Sequence, residues 1–434
     1  MLYNEPSPLE VKVLTCRFGL ENSQSLDTYL AHAGYAGFRR AMALPQEQII
    51  EEVKASNLRG RGGAGFPAGL KWSFVPRHSS KPKYIVVNAD EGEPGTCKDR
   101  VLMENDPHQL LEGMAIAALA IGASKGYIYI RGEYRYLIEI MDRAIAESYE
   151  KGYLGKNILG SGLDFDVYTH TGAGSYECGE ESALLESLEG KRGQPRIRPP
   201  FPAVSGAFQC PTILNNVETF CNVPAIFRMG ARAYAELGTP RNGGTRLFCL
   251  SGHLNKPGVY ELPMGFNLKR MIEQVGGGIP NGKKLKAVIP GGSSCPVLKA
   301  EECDIAMDFD TVAQAGSMLG SGGVVVMDED TDIVAVALRL IRFYSHESCG
   351  WCVPCREGTL WLKKLIARID QGQGTASDID LVGDVAQNIL GNTFCPLGDA
   401  AAMPIISYVR KFREEFEARL AQPRALPEDF RVVV

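Results

Sequence analysis

Tyr84-Ile85-Val86-Val87-Asn88-Ala89-Asp90-Glu91-Gly92-Glu93-Pro94-Gly95 is an apolar run that ends in an amide and three carboxylates. The Tyr84–Asn88 part reads as a buried strand. Polar groups packed this densely at a strand's carboxyl end are costly to bury, so they are either solvated or bound to something. Outward from this stretch the pattern alternates. A helix around Leu110–Ile121, a strand at Tyr127–Ile130, a helix over Tyr134–Lys151, a strand at Phe165–Tyr168 and a helix over Glu180–Leu188 follow in order. Such alternation predicts an α/β unit with a parallel sheet, whose ligands lie beyond the carboxyl ends of the strands.

The flanks differ in texture. Residues 1–80 read as helices and loops, with Ile49, Ile50 and Val53 on one face of a helix within Pro45–Asn57. The α/β unit is expected over 81–240 and a β-rich unit with one short helix over 241–330. Residues 331–434 are expected to be helical, with apolar faces over Ile333–Tyr344, Leu360–Ile369, Ile379–Leu390 and Met403–Leu420. Four helices with short links predict a bundle. At 434 residues the chain exceeds what one core sustains.

Cys349, Cys352 and Cys355 stand in a C-x2-C-x2-C spacing, and Cys395-Pro396 follows about one helical hairpin later. Three thiolates this close suit three corners of a cuboidal iron–sulfur cluster, with a fourth cysteine from another segment closing it. Zinc also accepts four thiolates, but its structural sites usually come as two separated pairs, so the spacing favours [4Fe–4S]. The other eight cysteines form no second motif and read as small buried groups.

The net charge of −5 and the absence of a basic block argue against nucleic-acid binding. Met1–Glu5 has no basic or apolar leader pattern, and no apolar run is long enough to span a bilayer, so a cytoplasmic protein is expected.

Gly60-Arg61-Gly62-Gly63-Ala64-Gly65 satisfies G-x-G-x-x-G but follows a helical pattern instead of a strand, which leaves a plain turn as an alternative. Its company supports a phosphate site. Glycines let backbone N–H groups approach an anion, while Arg59, Arg61 and Lys71 bring positive charge. Phe66, Trp72 and Phe74 could stack on flat rings, or simply pack. Gly172–Glu181 reads as a strand–glycine loop–helix junction, and Asn215-Asn216-Val217-Glu218-Thr219 as a polar helix start, for which capping is the bland alternative. Phosphate-friendly loops beside an iron–sulfur motif make a redox set, and flavin is the cofactor that takes a hydride and releases electrons singly.

With these motifs in hand, the chain resembles the NADH-binding flavoprotein subunit of respiratory complex I, the F-subunit family of bacterial NADH:quinone oxidoreductase. The likeness runs from about Leu26 to Phe416 and includes Arg59–Pro67, Lys71-Trp72, Asn88–Gly95, Gly132–Tyr134, Gly179–Glu181, Pro199–Pro202, Asn215–Thr219, Glu347–Gly350 and Phe394-Cys395. The resemblance implies a Rossmann-like α/β flavin domain, a ubiquitin-like β-grasp domain and a C-terminal four-helix bundle carrying the cluster. It implies FMN on the Gly60–Gly65 loop, Lys71, Asn88, Asp90, Gly179 and Glu180, with Asn215, Asn216 and Thr219 closing the site. It places the adenine end of NADH among Phe66, Phe74 and Phe201. Glu93, Tyr176 and Glu181 would serve the reaction on the nicotinamide side, and Cys349, Cys352, Cys355 and Cys395 would hold [4Fe–4S]. Implied partners are a [2Fe–2S] thioredoxin-like subunit and a large multi-cluster subunit, at the inner face of the plasma membrane. NADH over NADPH follows if Glu93 sits near the ribose.

Some positions depart from the family's commonest pattern, Gly92 and Ala68 only by exchange of small residues. Arg198 stands where relatives often carry Lys, which turns a point charge into a planar fork. Phe208-Gln209-Cys210 stands where relatives often have Trp-Gly-Lys. The nearest alternative is the equivalent subunit of a soluble NAD-linked hydrogenase or formate dehydrogenase. Those versions often carry added ferredoxin-like or thioredoxin-like segments, which this chain has no room for. A non-enzymatic, zinc-stabilised scaffold would leave the Asn88–Gly95 carboxylates unexplained.

Overall fold

A computed structural model describes residues 6–422 of the chain. The readings of Met1–Glu5 and of residues 423–434 lie outside them. Four strands, β1 (Tyr84–Ala89), β2 (Lys125–Ile130), β3 (Asp166–Thr171) and β4 (Thr212–Asn216), form a wholly parallel sheet in the order β3-β2-β1-β4. The chain moves outward from β1 to β3 and then returns to the other side of β1. The strand order therefore reverses between β1 and β4, where open α/β sheets place their ligands. Side chains alternate across the sheet: Ile85 and Val87 join one large core, and Val86 joins a smaller core with Leu184, Leu185 and Leu214.

The helix Pro107–Ile121 fills the large core. Only Leu119 among its fifteen residues escapes full burial, so the amphipathic helix expected over Leu110–Ile121 is instead apolar almost all round. Its one carboxylate, Glu112, accepts from Tyr35 N–H (2.8 Å), Phe38 N–H (2.9 Å) and the Tyr29 hydroxyl. That ties the N-terminal helices Leu26–Ala31 and Ala36–Ala41 to the sheet, and Ile49, Val53 and Trp72 enter the same core.

A second, mixed sheet comprises β5 (Thr245–Gly252), β6 (Gly258–Pro263), β7 (Leu285–Ile289), β8 (Leu298–Lys299) and β9 (Gly323–Asp328), ordered β6-β5-β9-β7-β8. Two helical segments, Leu268–Val275 and Phe309–Gln314, pack on it, where one helix was expected. β5 faces two ways: Leu247 and Cys249 enter the large core, Phe248 and Leu250 the second sheet's own. β7 does the same, with Ala287 and Ile289 packing against the C-terminal helices and Val288 facing back.

Those helices are Ile333–Glu347, Val353–Asp370, Ala376–Ile389, Pro396–Lys411 and Arg413–Ala421. The single helix expected over Met403–Leu420 is two. At buried Phe412 the backbone turns to φ −130°, ψ 33°, outside helical values, and the chain changes direction. No helix among the described residues is long and apolar enough to cross a membrane.

Candidate functional site

The carboxyl ends of β1 and β4 meet the glycine loop and the turn before the Glu181–Leu188 helix. The loop closes on itself: Gly60 N–H donates to Phe66 O (2.9 Å), and Arg59 Nε to Gly65 O (2.6 Å). Gly63 has φ +141° and nothing within 4 Å of where a Cβ would stand, so its backbone is open to a ligand. Gly62 lies close to Asn216, where a Cβ would come to 3.1 Å. Arg61, expected to bring charge to a phosphate, does not do so. Its guanidinium is buried on Gly243 O (2.7 Å) and Thr245 O (3.0 Å), while its N–H donates to Thr219 Oγ1 (2.9 Å).

The two asparagines serve the scaffold through their side chains. Asn216 caps the Val217–Met229 helix through Glu218 N–H (3.0 Å) and donates to Asp99 (2.6 Å). Asn215, in the amide orientation its neighbours favour, accepts from Trp72 Nε1 (2.9 Å). Asn88 Nδ2 donates to Gly179 O (2.8 Å), joining β1 to the turn. Asp90 is different. Its Oδ2 is buried without a hydrogen-bond partner, and burial lifts its pKa to about 7 although Arg131 opposes the rise. Adjacent Glu91 rises to about 8, again through burial and then Asp99, while it accepts from Asp99 N–H (2.7 Å).

Glu180 uses its carboxylate to cap the Glu181–Leu188 helix, accepting from Ser182 N–H and Ala183 N–H at 2.9 Å. Glu181 lies between Lys71 Nζ (2.8 Å) and Arg198 Nη1 (3.0 Å). Burial would raise its pKa, but the two cations outweigh it and hold it below the ordinary carboxylate value. Phe66 and Phe74, with ring centroids 6.2 Å apart, stand 46% and 50% exposed, and Phe201, three residues beyond Arg198, is 57% exposed.

Glu93 reaches across to the second sheet's unit. It accepts from Ser294 N–H (2.8 Å), Ser293 Oγ (3.2 Å) and the Tyr176 hydroxyl (2.5 Å). Tyr176 in turn donates its N–H to Glu347 (3.0 Å) and packs edge-on against Phe343 and Tyr344. Nothing in the sequence pattern singles out Ser293 and Ser294, because they arrive from a loop two hundred residues away.

Glu177, next along the turn, lines a small cavity together with Cys349, Cys352, Cys355 and Cys395. Cys352 and Cys395 are the N-cap residues of the Val353–Asp370 and Pro396–Lys411 helices. Two helix N-termini therefore point positive dipole ends at the cavity, which favours an anionic occupant. Burial raises the Cys355 thiol to about 11 and the Cys395 thiol further, with Glu177 adding to the latter. A single tetrahedral zinc would draw four sulfurs to within about 4 Å of one another, given its bond lengths. Among the described residues no such convergence of three His, Cys, Asp or Glu side chains exists, and the thiols ring a space instead. That arrangement fits a cuboidal cluster. The open Gly63 backbone, the unpartnered Asp90 oxygen and the exposed rings likewise fit a phosphate-bearing cofactor with a flat ring.

Comparison with known proteins agrees in outline. Residues 53–225 match the Nuo51 FMN-binding domain, 246–336 the SLBB domain, and 335–419 the NADH-ubiquinone oxidoreductase-F iron–sulfur binding region. The parallel sheet thus belongs to an FMN-binding unit, the mixed sheet to an SLBB unit and the C-terminal helices to an iron–sulfur unit. An NADH-quinone oxidoreductase F-type subunit of Rhizobium meliloti (strain 1021) is 53% identical over 413 residues, covering 95% of this chain and 98% of its own length. The F-type subunit of the Streptomyces coelicolor NADH-quinone oxidoreductase is 49% identical, covering 96% of this chain and 93% of its own. Among solved structures, an air-oxidised NAD+-reducing [NiFe]-hydrogenase superposes with a TM-score of 0.82 at 36% identity, over 96% of this chain and 68% of that one.

Proposed function

Because the chain belongs to the F-subunit family of NADH-quinone oxidoreductases, we propose that the carboxyl end of its parallel sheet holds FMN and receives NADH, and that Cys349, Cys352, Cys355 and Cys395 hold its [4Fe–4S] cluster. The protein is an oxidoreductase subunit of an NADH-quinone oxidoreductase. One observation carries the assignment of sites: the single turn Tyr176–Gly179 serves both places. Gly179 and Tyr176 lie at the sheet end, and Glu177 between them lines the cysteine cavity. Bound at the sheet end, FMN would supply a centre that takes a hydride and passes electrons on singly.

The residues then divide by role. The Gly60–Gly65 backbone receives the phosphate, and Arg61, Asn216 and Thr219 hold that loop in shape. Asn88, Asp90 and Gly179 face the ring system, with Glu180 fixing the helix behind it and Asn215 steadying Trp72. Phe66, Phe74 and Phe201 offer faces to the adenine. Lys71 and Arg198 keep Glu181 ionised, and Glu93 and Tyr176 complete the nicotinamide side. Glu93 near a ribose would disfavour the extra phosphate of NADPH.

The mixed sheet with the Leu268–Val275 segment packed on it supports a ubiquitin-like β-grasp, and the mutually packed C-terminal helices a four-helix bundle. Boundaries near 80, 240 and 330 follow the changes of element type. A [2Fe–2S] thioredoxin-like subunit and a multi-cluster subunit are the proposed partners, at the cytoplasmic face of the plasma membrane. The hydrogenase likeness favours a second reading, a component of an NAD-linked hydrogenase or formate dehydrogenase, which co-purification with a hydrogenase or dehydrogenase module instead of quinone-reducing subunits would establish.

The test is anaerobic addition of NADH to the reconstituted chain, followed by visible absorbance and EPR. Flavin bleaching and a reduced-cluster signal are expected, with the signal lost in Cys352→Ser and the bleaching kept. A colourless protein inert to NADH refutes the proposal.

A further inference from the structure

Arg246, the second residue of β5, is fully buried. Its Nη2 donates to Arg61 O (3.1 Å) and Gly320 O (2.6 Å), while its Nε and Nη1 have no hydrogen-bond partner among the described residues. Glu218, the acid that most steadies its charge, forms its ion pair with Lys98 (2.9 Å) and accepts from Leu247 N–H (2.8 Å). Burial lowers the Arg246 pKa to about 10, so the guanidinium is still charged at neutral pH. A cation taken out of water without a carboxylate against it destabilises the fold. Phe309 gives partial relief, with its ring centroid 5.6 Å from Arg246 Cζ.

The carbonyl of Arg61 belongs to the Arg61–Gly62 peptide of the glycine loop. Carbonyl and N–H of a trans peptide point in opposite directions, so the Gly62 N–H is turned away from the guanidinium. Gly62 is exposed, and the N–H groups of Gly62, Gly63 and Ala64 donate to nothing among the described residues. A cation at the carbonyl end polarises a peptide and strengthens its N–H as a donor. The loop therefore lies between a buried positive charge and an open row of donors, which favours an anion. The cations expected to serve it are engaged elsewhere. Arg59 turns to Gly65 O and Asp310, Arg61 to the carbonyls of Gly243 and Thr245, and Lys71 to Glu181.

We infer that Arg246, a residue of the mixed-sheet unit, supplies the counter-charge for the flavin phosphate, acting through the Arg61–Gly62 peptide without touching the ligand. The inference rests on the proposed binding of FMN at the glycine loop. The experiment titrates the flavin-free full chain with FMN and with riboflavin, followed by quenching of flavin fluorescence. The two ligands share the ring and differ in the phosphate, so the ratio of their affinities reads the phosphate alone. Unsubstituted chain, Arg246→Gln, Arg246→Lys and Arg232→Gln, the last at an exposed position, are compared.

Arg246→Gln can still donate to a carbonyl but carries no charge. It should lower the FMN-to-riboflavin ratio by about tenfold, the scale of one charge acting over a short distance in a protein interior. Arg246→Lys should keep the ratio within about threefold, since the charge stays and only the fork is lost. An unchanged ratio in Arg246→Gln overturns the inference, even where both affinities fall together, because that reports a distorted loop. So does a fall that Arg232→Gln matches, which reports net charge. A comparable fall in Arg246→Lys also overturns it, whether or not Arg246→Gln folds, because guanidinium geometry and not charge would then be required. An unsubstituted chain that binds riboflavin as tightly as FMN, or binds neither, would instead remove the FMN assignment, whatever Arg246 does.

Discussion

At Asp90 a carboxyl oxygen lies buried with no partner, and the free energy of ionising it falls on the fold. The folded chain holds that proton up to about pH 7, against an ordinary value of 3.8. The favourable contribution is thus complete below about pH 4 and is lost as pH rises through 7. At about 1.4 kcal/mol per pKa unit the ceiling is roughly 4 kcal/mol. In the flavin-free chain, Asp90→Asn should therefore raise the melting temperature at pH 8 and leave it nearly unchanged at pH 4. A difference independent of pH would show that Asp90 is not the group concerned. This acid was visible in the sequence as part of a costly cluster at a strand end. Its division of labour was not: Glu91 turns to the next helix and Glu93 to a distant loop, and only Asp90 is left with an unpartnered oxygen. Residue types told what could bind; which of them was already spent depended on neighbours brought in by the tertiary fold. Arg61 and Asn216 show the same limit.

Among the elements, the Pro107–Ile121 helix anchors the N-terminal helices to the sheet through one carboxylate. Glu112→Ala would leave the buried N–H groups of Tyr35 and Phe38 and the Tyr29 hydroxyl without an acceptor, a loss of about 3 kcal/mol or more. Thermal melting should show it as a drop of several degrees, and Glu112→Gln should recover part of the loss. A fully stable alanine variant would mean that those donors find water. Helix existence was legible here from apolar content, but not burial all round, because periodicity reports one face and says nothing of a second layer. The break at Phe412 was hidden for a related reason: apolar residues continue on both sides of it, and only backbone angles record the turn.

For the whole molecule, the changes of texture near 80, 240 and 330 mark changes of secondary structure, while the packing runs across them. Leu247 and Cys249 of β5 complete the large core, Arg61 binds the carbonyls of Gly243 and Thr245, and Glu218 accepts from Leu247 N–H (2.8 Å). A fragment ending at residue 240 should therefore lack a cooperative melting transition by circular dichroism, although it contains the entire parallel sheet. Sharp melting of that fragment near the temperature of the full chain would refute the dependence.

The two-faced strand β5 also bears on ancestry. A recombination event that brought in a foreign middle unit would have to supply, on alternate residues, side chains shaped for a core the newcomer had never met. A unit exchanged without those side chains would leave the large core short of Leu247 and Cys249. The hydrogenase chain that aligns over 96% of this one carries the three units in the same company.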